Sequence, residues 1–314
     1  MILGIDTSCY TTSMVAITLE GETIVFEENT LLKVKQGEKG LRQSDGFFQH
    51  SHQLTQTYER LVNVISPNHF KAISVSTKPR SVEGSYMPVF SAGYQFAKNL
   101  SLTLSLPIYT CSHQEGHIMA ALKTCALKEI PSKFYALQIS GGTTELLKVE
   151  YEPVQFKVTL LGESLDLHFG QLVDRIGVAL GLPFPCGQAL DAIAAMQLHN
   201  DFFAASFKNN LFFNLSGLEN KYLELIHEKS PEYIARHLFN TLSQVMLKWI
   251  SNVDDGLPIV IAGGVASNGI IRSQLLAAPF KSKLYFAEAK YSRDNALGVA
   301  HIGCDVYRKE TRGV

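Results

Sequence analysis

The chain has 314 residues, 46% of them hydrophobic and 18% charged, with a formal net charge of −1. Those proportions exclude a disordered chain, the near-neutral charge excludes a whole-surface pull toward nucleic acid, and the length predicts two packed lobes. No apolar run reaches the ~18 residues of a membrane span, the start is read as lacking a signal peptide, and the five scattered cysteines (Cys9, Cys111, Cys125, Cys186, Cys304) contain no CxxC, so a reducing, cytoplasmic setting away from any membrane is expected.

In chain order, "MILGIDTSCYTTSMVAITLEGETIVFEE" reads as a meander. A strand over Ile2 to Ile5 enters a polar Thr/Ser turn, a second runs from Ser13 to Leu19, Gly21 turns the chain and "TIVFEE" is the third. "LLKVKQGEKGLRQ" carries Lys33, Lys35, Lys39 and Arg42, a mixed run that is ordinarily a solvated loop. Residues 49–66 have helical spacing with Leu54, Tyr58, Leu61, Val62 and Ile65 on one side. "FKAISVST" predicts a buried strand and "FSAGYQFAKNL" a helix.

A similar layout recurs. "KFYALQISGGTTELLKVE" is strand, small-polar turn and strand, with "PVQFKVTLLG" as a third strand. Helical patterns follow in "FGQLVDRIGVALGL", "CGQALDAIAAMQLH" and "EYIARHLFNTLSQVMLKWIS". "PIVIAGGV" is an apolar strand, "ASNGIIRSQLLAA" starts a helix from it, and "DNALGVAHIGCDVYRK" is a terminal helix. The repetition predicts an α/β protein of two duplicated lobes, residues 1–106 and 107–314, the second with a helical insertion. It also predicts a ligand cleft between the lobes; a terminal helix packing back on the first lobe stays an option.

Three turns have a composition suited to phosphate: "DTSCYTTS", "SGGTT" and "AGGVASNG". Each ends an apolar strand with residues that let backbone N–H groups approach an anion, and the last opens a helix. Neither a Walker A nor a GxGxxG pattern is present. "HQEGH" sets His113 and His117 four apart, on one helix face, where two imidazoles can converge on a cation. Glu115 is not in the place of the metalloprotease base, and a carboxylate from elsewhere would have to complete a site. Spacing alone leaves Asp166, Asp174, Asp191 and Asp294 open. His50 and His52 precede or begin a helix, and His168, His199, His227, His237 and His301 stand singly; packed or solvated roles are expected of all seven. Cys9 and Cys111 are expected to be quiet thiols. No nucleophile–base pair can be argued by spacing, so the catalytic residues stay unknown.

Taken in order, "ILGIDTSC", "HQEGHIMAA", "LQISGGTTEL", "GESLD", "VDRIGVALGLPFPCGQALDAIA", "LSGLENK", "IVIAGGVASN" and "YSRDNALGVAHIG" resemble the TsaD-type threonylcarbamoyltransferases, once called O-sialoglycoprotein endopeptidases or glycoproteases. The resemblance spans nearly the whole chain and implies the actin-like fold shared with sugar kinases and heat-shock ATPases. It implies that His113, His117 and Asp294 hold one divalent metal, iron or zinc. It also implies that an adenylate, ATP or threonylcarbamoyl-AMP, is gripped by Gln138, Ile139, Ser140, Gly141, Gly142, Asp174, Gly187, Asp191 and Asn268. The implied reaction passes a threonylcarbamoyl group to N6 of the adenosine next to the tRNA anticodon, with tRNA and TsaB-like and TsaE-like helper proteins, or a TsaD paralogue, as partners.

The chain departs from the family pattern at several points. Tyr10 and Thr11 replace two acidic residues of the first turn, and Thr143 stands where a histidine is usual. "KPRSVEGS" replaces a G-P-G-L loop, Glu219 and Asn220 replace a Lys-Thr pair, and of a D-D-x-x-G stretch only Asp166 and Gly170 remain. Those changes suit a divergent paralogue and keep two other readings open: a carbamoyltransferase acting on another acceptor, and a non-catalytic nucleotide-binding partner of a true family member.

Overall fold

A computed structural model of the protein describes residues 1–312 apart from Cys9, Glu22, residues 35–40 and Pro153. The expectations for Cys9, Lys35 and Lys39 therefore lie outside the described residues. The chain divides into two units. The first takes Met1–Thr124, the short stretch Glu152–Phe156 and the residues from Asp294 onward; the second takes Cys125–Tyr151 and Lys157–Arg293.

In the first unit, β1 (Ile2–Thr7) and β2 (Thr11–Ile17) are buried along their whole length, as central strands covered on both faces are. β3 (Ile24–Leu31) is half-exposed, fitting its place at an edge. α1 (Gln43–Val62) begins six residues before the predicted helix and buries Leu54 and Leu61 from the expected stripe. β4 (Ala72–Lys78) leads to α2 (Pro88–Leu104), which opens on a proline, where the missing N–H costs nothing, and closes on Ser105 in the left-handed conformation. β5 (Ile108–Ser112) then runs straight into α3 (His113–Thr124). The sheet order is β3-β2-β1-β4-β5. β2 is antiparallel to β1 and β3, while β4 is parallel to β1 and β5 parallel to β4.

The second unit repeats that plan. β6 (Lys133–Ile139), β7 (Thr144–Glu152) and β8 (Gln155–Glu163) form the meander. There follow α4 (Phe169–Ala179), α5 (Gly187–Ala194), a small hairpin of β9 (Ser206–Lys208) and β10 (Phe212–Asn214), α6 (Ser216–Leu225) and α7 (Pro231–Ser251). β11 (Ile259–Ala262), α8 (Gly269–Ala277) and β12 (Leu284–Phe286) complete it. The order β12-β11-β6-β7-β8 is that of the first sheet, strand for strand. Its core is led by Trp249 of α7, whose ring meets Phe213 edge-on at 5.0 Å.

α9 (Leu297–Arg312) belongs to the first unit and packs on α3, where a Cβ on Gly298 would lie 1.8 Å from the carbonyl oxygen of Gly116. The expected boundary at residue 106 falls inside that unit. The reason is backbone pairing: β5 continues the first sheet through a parallel ladder from Ile73↔Ile108 to Lys78↔Ser112, and it carries α3 with it. Among the described residues, no helix is long and apolar enough to cross a membrane.

Candidate functional site

α3 presents His113 and His117 one turn apart, and Asp294 reaches the same point just ahead of α9. His113 Nε2 and His117 Nε2 are 3.0 Å apart. Asp294 Oδ1 lies 3.2 Å from His117 Nε2 and 3.6 Å from His113 Nε2. Among the described residues this trio is the one cluster of three histidine, cysteine or acidic groups whose ligand atoms all fall within 4.8 Å of one another. The structure thus brings together the pair that helical spacing predicted and, of the four open carboxylates, Asp294. The close α3–α9 contact at Gly298 and Gly116 fixes the segment that carries it.

Among the described residues, two further side chains hydrogen-bond to the trio. Asp6 of β1 is fully buried and its Oδ1 and Oδ2 lie 3.0 and 3.1 Å from His113 Nδ1. Ser76 Oγ also donates to Asp6 Oδ1. Ser8 Oγ donates to Asp294 Oδ2 at 2.7 Å. Behind Ser8, buried His50 of α1 donates from Nε2 to the Ser8 carbonyl at 2.7 Å, and its Nδ1 meets Thr12 Oγ1 at 2.7 Å. Burial works against a charge on His113, but Asp6 and Asp294 outweigh it and hold its pKa well above the ordinary imidazole value. Burial likewise works to raise Asp294, and the two imidazoles outweigh it, holding the carboxyl well below the usual range.

This donor set fits a transition-metal ion. With His113 Nδ1 turned to a carboxylate, that nitrogen carries a proton, and an ion that displaces the second proton would take the lone pair of Nε2. Two imidazole nitrogens and one carboxylate oxygen suit zinc or ferrous iron rather than calcium or magnesium. Metal–ligand bonds of about 2.0–2.1 Å set ligand atoms about 3.3 Å apart around a tetrahedral ion. The observed separations of 3.0, 3.2 and 3.6 Å bracket that value.

The residues expected to hold a nucleotide lie in the second unit. Gln138 and Ile139 end β6, buried, and Ser140–Gly142 form the exposed turn beyond it. Ser140 N donates to Thr143 O at 2.8 Å, and neither Gly141 nor Gly142 has any atom within 4 Å of a would-be Cβ. Gln138 Nε2 is buried and finds no hydrogen-bond partner among the described residues. Asp191 Oδ1 accepts from Asn268 Nδ2 at 2.7 Å, and Asn268 Oδ1 caps α8 through Ile271 N at 3.0 Å. Asp174 Oδ1 accepts Cys186 N at 2.8 Å, beside Gly187 at the start of α5. Burial raises the pKa of both Asp174 and Asp191 against those hydrogen bonds.

Other candidates have structural duties. Asp166 accepts from Leu215 N at 2.8 Å and from the N–H and hydroxyl of Ser216 at 3.2 and 2.5 Å, which satisfies the first turn of α6. Burial opposes that charge, but those bonds win and lower its pKa to about 2. His199 stacks on Tyr233 at 4.2 Å, and buried His237 bonds the Tyr222 hydroxyl at 2.9 Å. Lys33 is tied through its backbone N–H to Gln49 Oε1 at 2.8 Å, and Arg42 is the N-cap of α1. Spacing-based reasoning missed Asp6, Ser8 and His50. Alternation along β1, which puts positions 6 and 8 on one face, was the available signal.

A family model described as "TsaD: tRNA N6-adenosine threonylcarbamoyltransferase" matches residues 45–301. A tRNA N6-adenosine threonylcarbamoyltransferase of Streptococcus suis (strain 05ZYH33) is 28% identical over 324 residues, spanning 99% of this chain and 93% of its own length. One of Chlorobium phaeobacteroides (strain BS1) is 27% identical over 326 residues, 95% of this chain and 91% of its own. Among solved structures, HypF of T. kodakarensis superposes with a TM-score of 0.61 at 12% identity, covering 98% of this chain and 48% of that one. The ADPNP-bound activator of the 2-hydroxyisocaproyl-CoA dehydratase of Clostridium difficile gives 0.55 at 14% identity, covering 100% and 97%. At those identities the likeness carries the fold alone, an actin-like α/β architecture.

Proposed function

We propose, for a chain that belongs to the TsaD family of tRNA N6-adenosine threonylcarbamoyltransferases, a metal-dependent version of the family's transfer. The chain is a transferase of tRNA modification. In this reading it moves a threonylcarbamoyl group from threonylcarbamoyl-adenylate to N6 of the adenosine beside the anticodon, with one iron or zinc ion held by His113, His117 and Asp294. The observation that carries the reading is the convergence of those three side chains, with ligand atoms 3.0–3.6 Å apart.

When bound, the metal supplies Lewis-acid polarisation and a fixed point for the donor. The rest falls to the protein's own groups. Asp6 keeps the His113 proton on Nδ1, so that Nε2 stays a ligand. In the second unit, the exposed Ser140–Gly142 turn offers backbone N–H groups without a Cβ in the way, and Gln138 Nε2 is a buried donor awaiting an acceptor. Asp191, already oriented by Asn268, offers a carboxylate suited to sugar hydroxyls, and Asp174 fixes the start of α5 at Gly187. These groups orient an adenylate rather than attack it; the nucleoside amine is the nucleophile, and positioning is what such a transfer needs most. The partners in this reading are tRNA and TsaB-like and TsaE-like helper proteins.

Elemental analysis of the purified protein, beside His113→Ala, tests the metal, with about one iron or zinc per chain expected and near none in the variant. Restoration of the modified adenosine in cells stripped of their own enzyme tests the acceptor. A protein that holds its metal yet fails to restore the modification would move the acceptor elsewhere.

A further inference from the structure

The turn that ends β1 has hydroxyls at Thr7, Ser8, Thr11 and Thr12 and was expected to receive phosphate. Its side chains do something else. Asp6 and Ser8, two residues apart, face the metal cluster, while Thr7 between them turns away, its Oγ1 donating to Val89 O at 3.0 Å and accepting from Gly93 N at 3.2 Å. Each inward residue grips one ligand of the trio from the side away from the other ligands. Asp6 takes His113 Nδ1, opposite the nitrogen that faces His117. Ser8 takes Asp294 Oδ2, leaving Oδ1 as the oxygen that faces both imidazoles. Neither contact is adventitious, because each is itself braced: Asp6 by Ser76, and the Ser8 backbone by buried His50.

We infer that the end of β1 is the outer shell of the metal centre. Asp6 and Ser8 are positioning residues: Asp6 fixes the tautomer and ring plane of His113, and Ser8 holds Asp294 to one-oxygen ligation. This inference rests on the metal-binding reading above and deepens it. Asp294 with both oxygens free could clasp an ion through either or both; with Oδ2 committed to a hydroxyl, a single oxygen is presented. Asp6 is a formal negative charge hydrogen-bonded to a ligand imidazole, which raises the basicity of the nitrogen facing the ion. Among the described residues no carboxylate meets His117 Nδ1 as Asp6 meets His113 Nδ1, so the two histidines are unequal ligands.

The test uses the full chain loaded with zinc or cobalt(II) alone, with chelator competition for affinity and the cobalt ligand-field spectrum for geometry. Asp6→Asn keeps the shape and removes the charge, and is expected to weaken metal binding about 10–100-fold. Ser8→Ala is expected to shift the cobalt spectrum as Asp294 gains a second free oxygen, and Ser8→Thr, which keeps the hydroxyl, to restore it. Ser8→Ala removes one oxygen atom, so it still decides the matter should the buried carboxylate prove necessary for folding. Wild-type affinity in Asp6→Asn, or wild-type affinity and spectrum in Ser8→Ala, would overturn the inference while His113→Ala still loses the metal. Failure of the unaltered protein to bind metal would instead bring down the functional reading beneath it.

Discussion

The turn after β1 and the turn after β6 are the same construction put to different uses. Both close with a bond from the first residue's N–H to the fourth residue's carbonyl, Ser8 N to Thr11 O at 3.2 Å and Ser140 N to Thr143 O at 2.8 Å. Both hairpins end on a threonine of the return strand, with Thr7 opposite Thr12 and Ile139 opposite Thr144. The middle positions differ: Cys9 and Tyr10 in one, Gly141 and Gly142 in the other. The inward residues before them differ as well, Asp6 in one and Gln138 in the other. In the first turn the serine hydroxyl bonds Asp294 at 2.7 Å besides a longer 3.4 Å approach to Thr11 O, whereas Ser140 Oγ accepts Gly142 N at 3.2 Å. A duplicated scaffold supplies the position; the side chain two residues earlier and the glycines of the second turn set what each copy presents, a carboxylate in one and open backbone N–H groups in the other.

The largest effects should come from the close approaches that brace each copy. At Gly298 a methyl group would sit 1.8 Å from Gly116 O and 2.6 Å from Ala120 N, so α9 would have to leave α3. Gly263 has φ +110° and a Cβ there would lie 2.0 Å from Ile139 O, so alanine is both strained and blocked. Each alanine substitution is expected to cost more than about 3 kcal/mol of stability. The two should part on metal content. Gly298→Ala displaces the helix behind Asp294 and weakens metal binding, while Gly263→Ala spares the trio, which lies wholly in the first unit. Chemical denaturation with metal analysis of the folded fraction checks both; equal metal loss in the two variants would break the comparison.

A smaller effect distinguishes the units by acid. Burial, aided by His199, lowers the pKa of His237 to about 4 in the second unit, and burial, aided by Lys123 and Arg308, lowers that of His301 to about 3 in the first. Both fall below the ordinary value of 6.5. The unfolded chain therefore binds more protons between those limits, and stability falls as pH drops below about 6.5. By pH 5 the shift corresponds to about 2 kcal/mol for each histidine. His113, with its raised pKa, acts with the opposite sign, so the test is a difference: between pH 7.5 and 5, His237→Gln and His301→Gln should each lose less denaturation midpoint than the unaltered protein.

How far the sequence reached follows the range of the physics involved. His113 and His117 were legible because helical spacing is local. Asp294 was named by the family resemblance and not by spacing, because choosing it over Asp166, Asp174 and Asp191 from the residues alone requires knowing that residue 294 onward returns to the first unit. The strand pattern gave both meanders. It lost β5, whose "IYTCS" runs into the histidine helix without a break, and β12, whose three residues are too short for alternation to register. With β5 lost, the boundary fell near residue 106 instead of after Thr124. The contacts of Asp6 and Ser8 with His113 and Asp294 were not legible, since the composition of that turn suits a phosphate as well as side-chain partners.

Asp166 offers a sharper form of the same lesson. It is a carboxylate that spacing alone left open as a metal ligand, yet its oxygens are filled by the first turn of α6. Asp166→Ala should cost about 1 kcal/mol through the lost cap and leave metal content unchanged. A fall in metal content would return it to the list of ligands.

The smallest effect concerns a departure from the family. Glu219 of α6 stands where lysine is usual, and Arg175 Nη1 of α4 lies 2.8 Å from its carboxylate. Arg175 is largely exposed, so the pair contributes under about 1 kcal/mol. Restoring the family residue alone, Glu219→Lys, would set two cations together and should lower the thermal midpoint slightly, most at low salt where screening is weakest. Adding Arg175→Glu should recover it. If instead Glu219→Lys raises transfer activity with no change in midpoint, the glutamate is a lesion in the chemistry and not half of a surface pair. The divergence of this chain would then lie in the second unit as well as in the altered turn of the first.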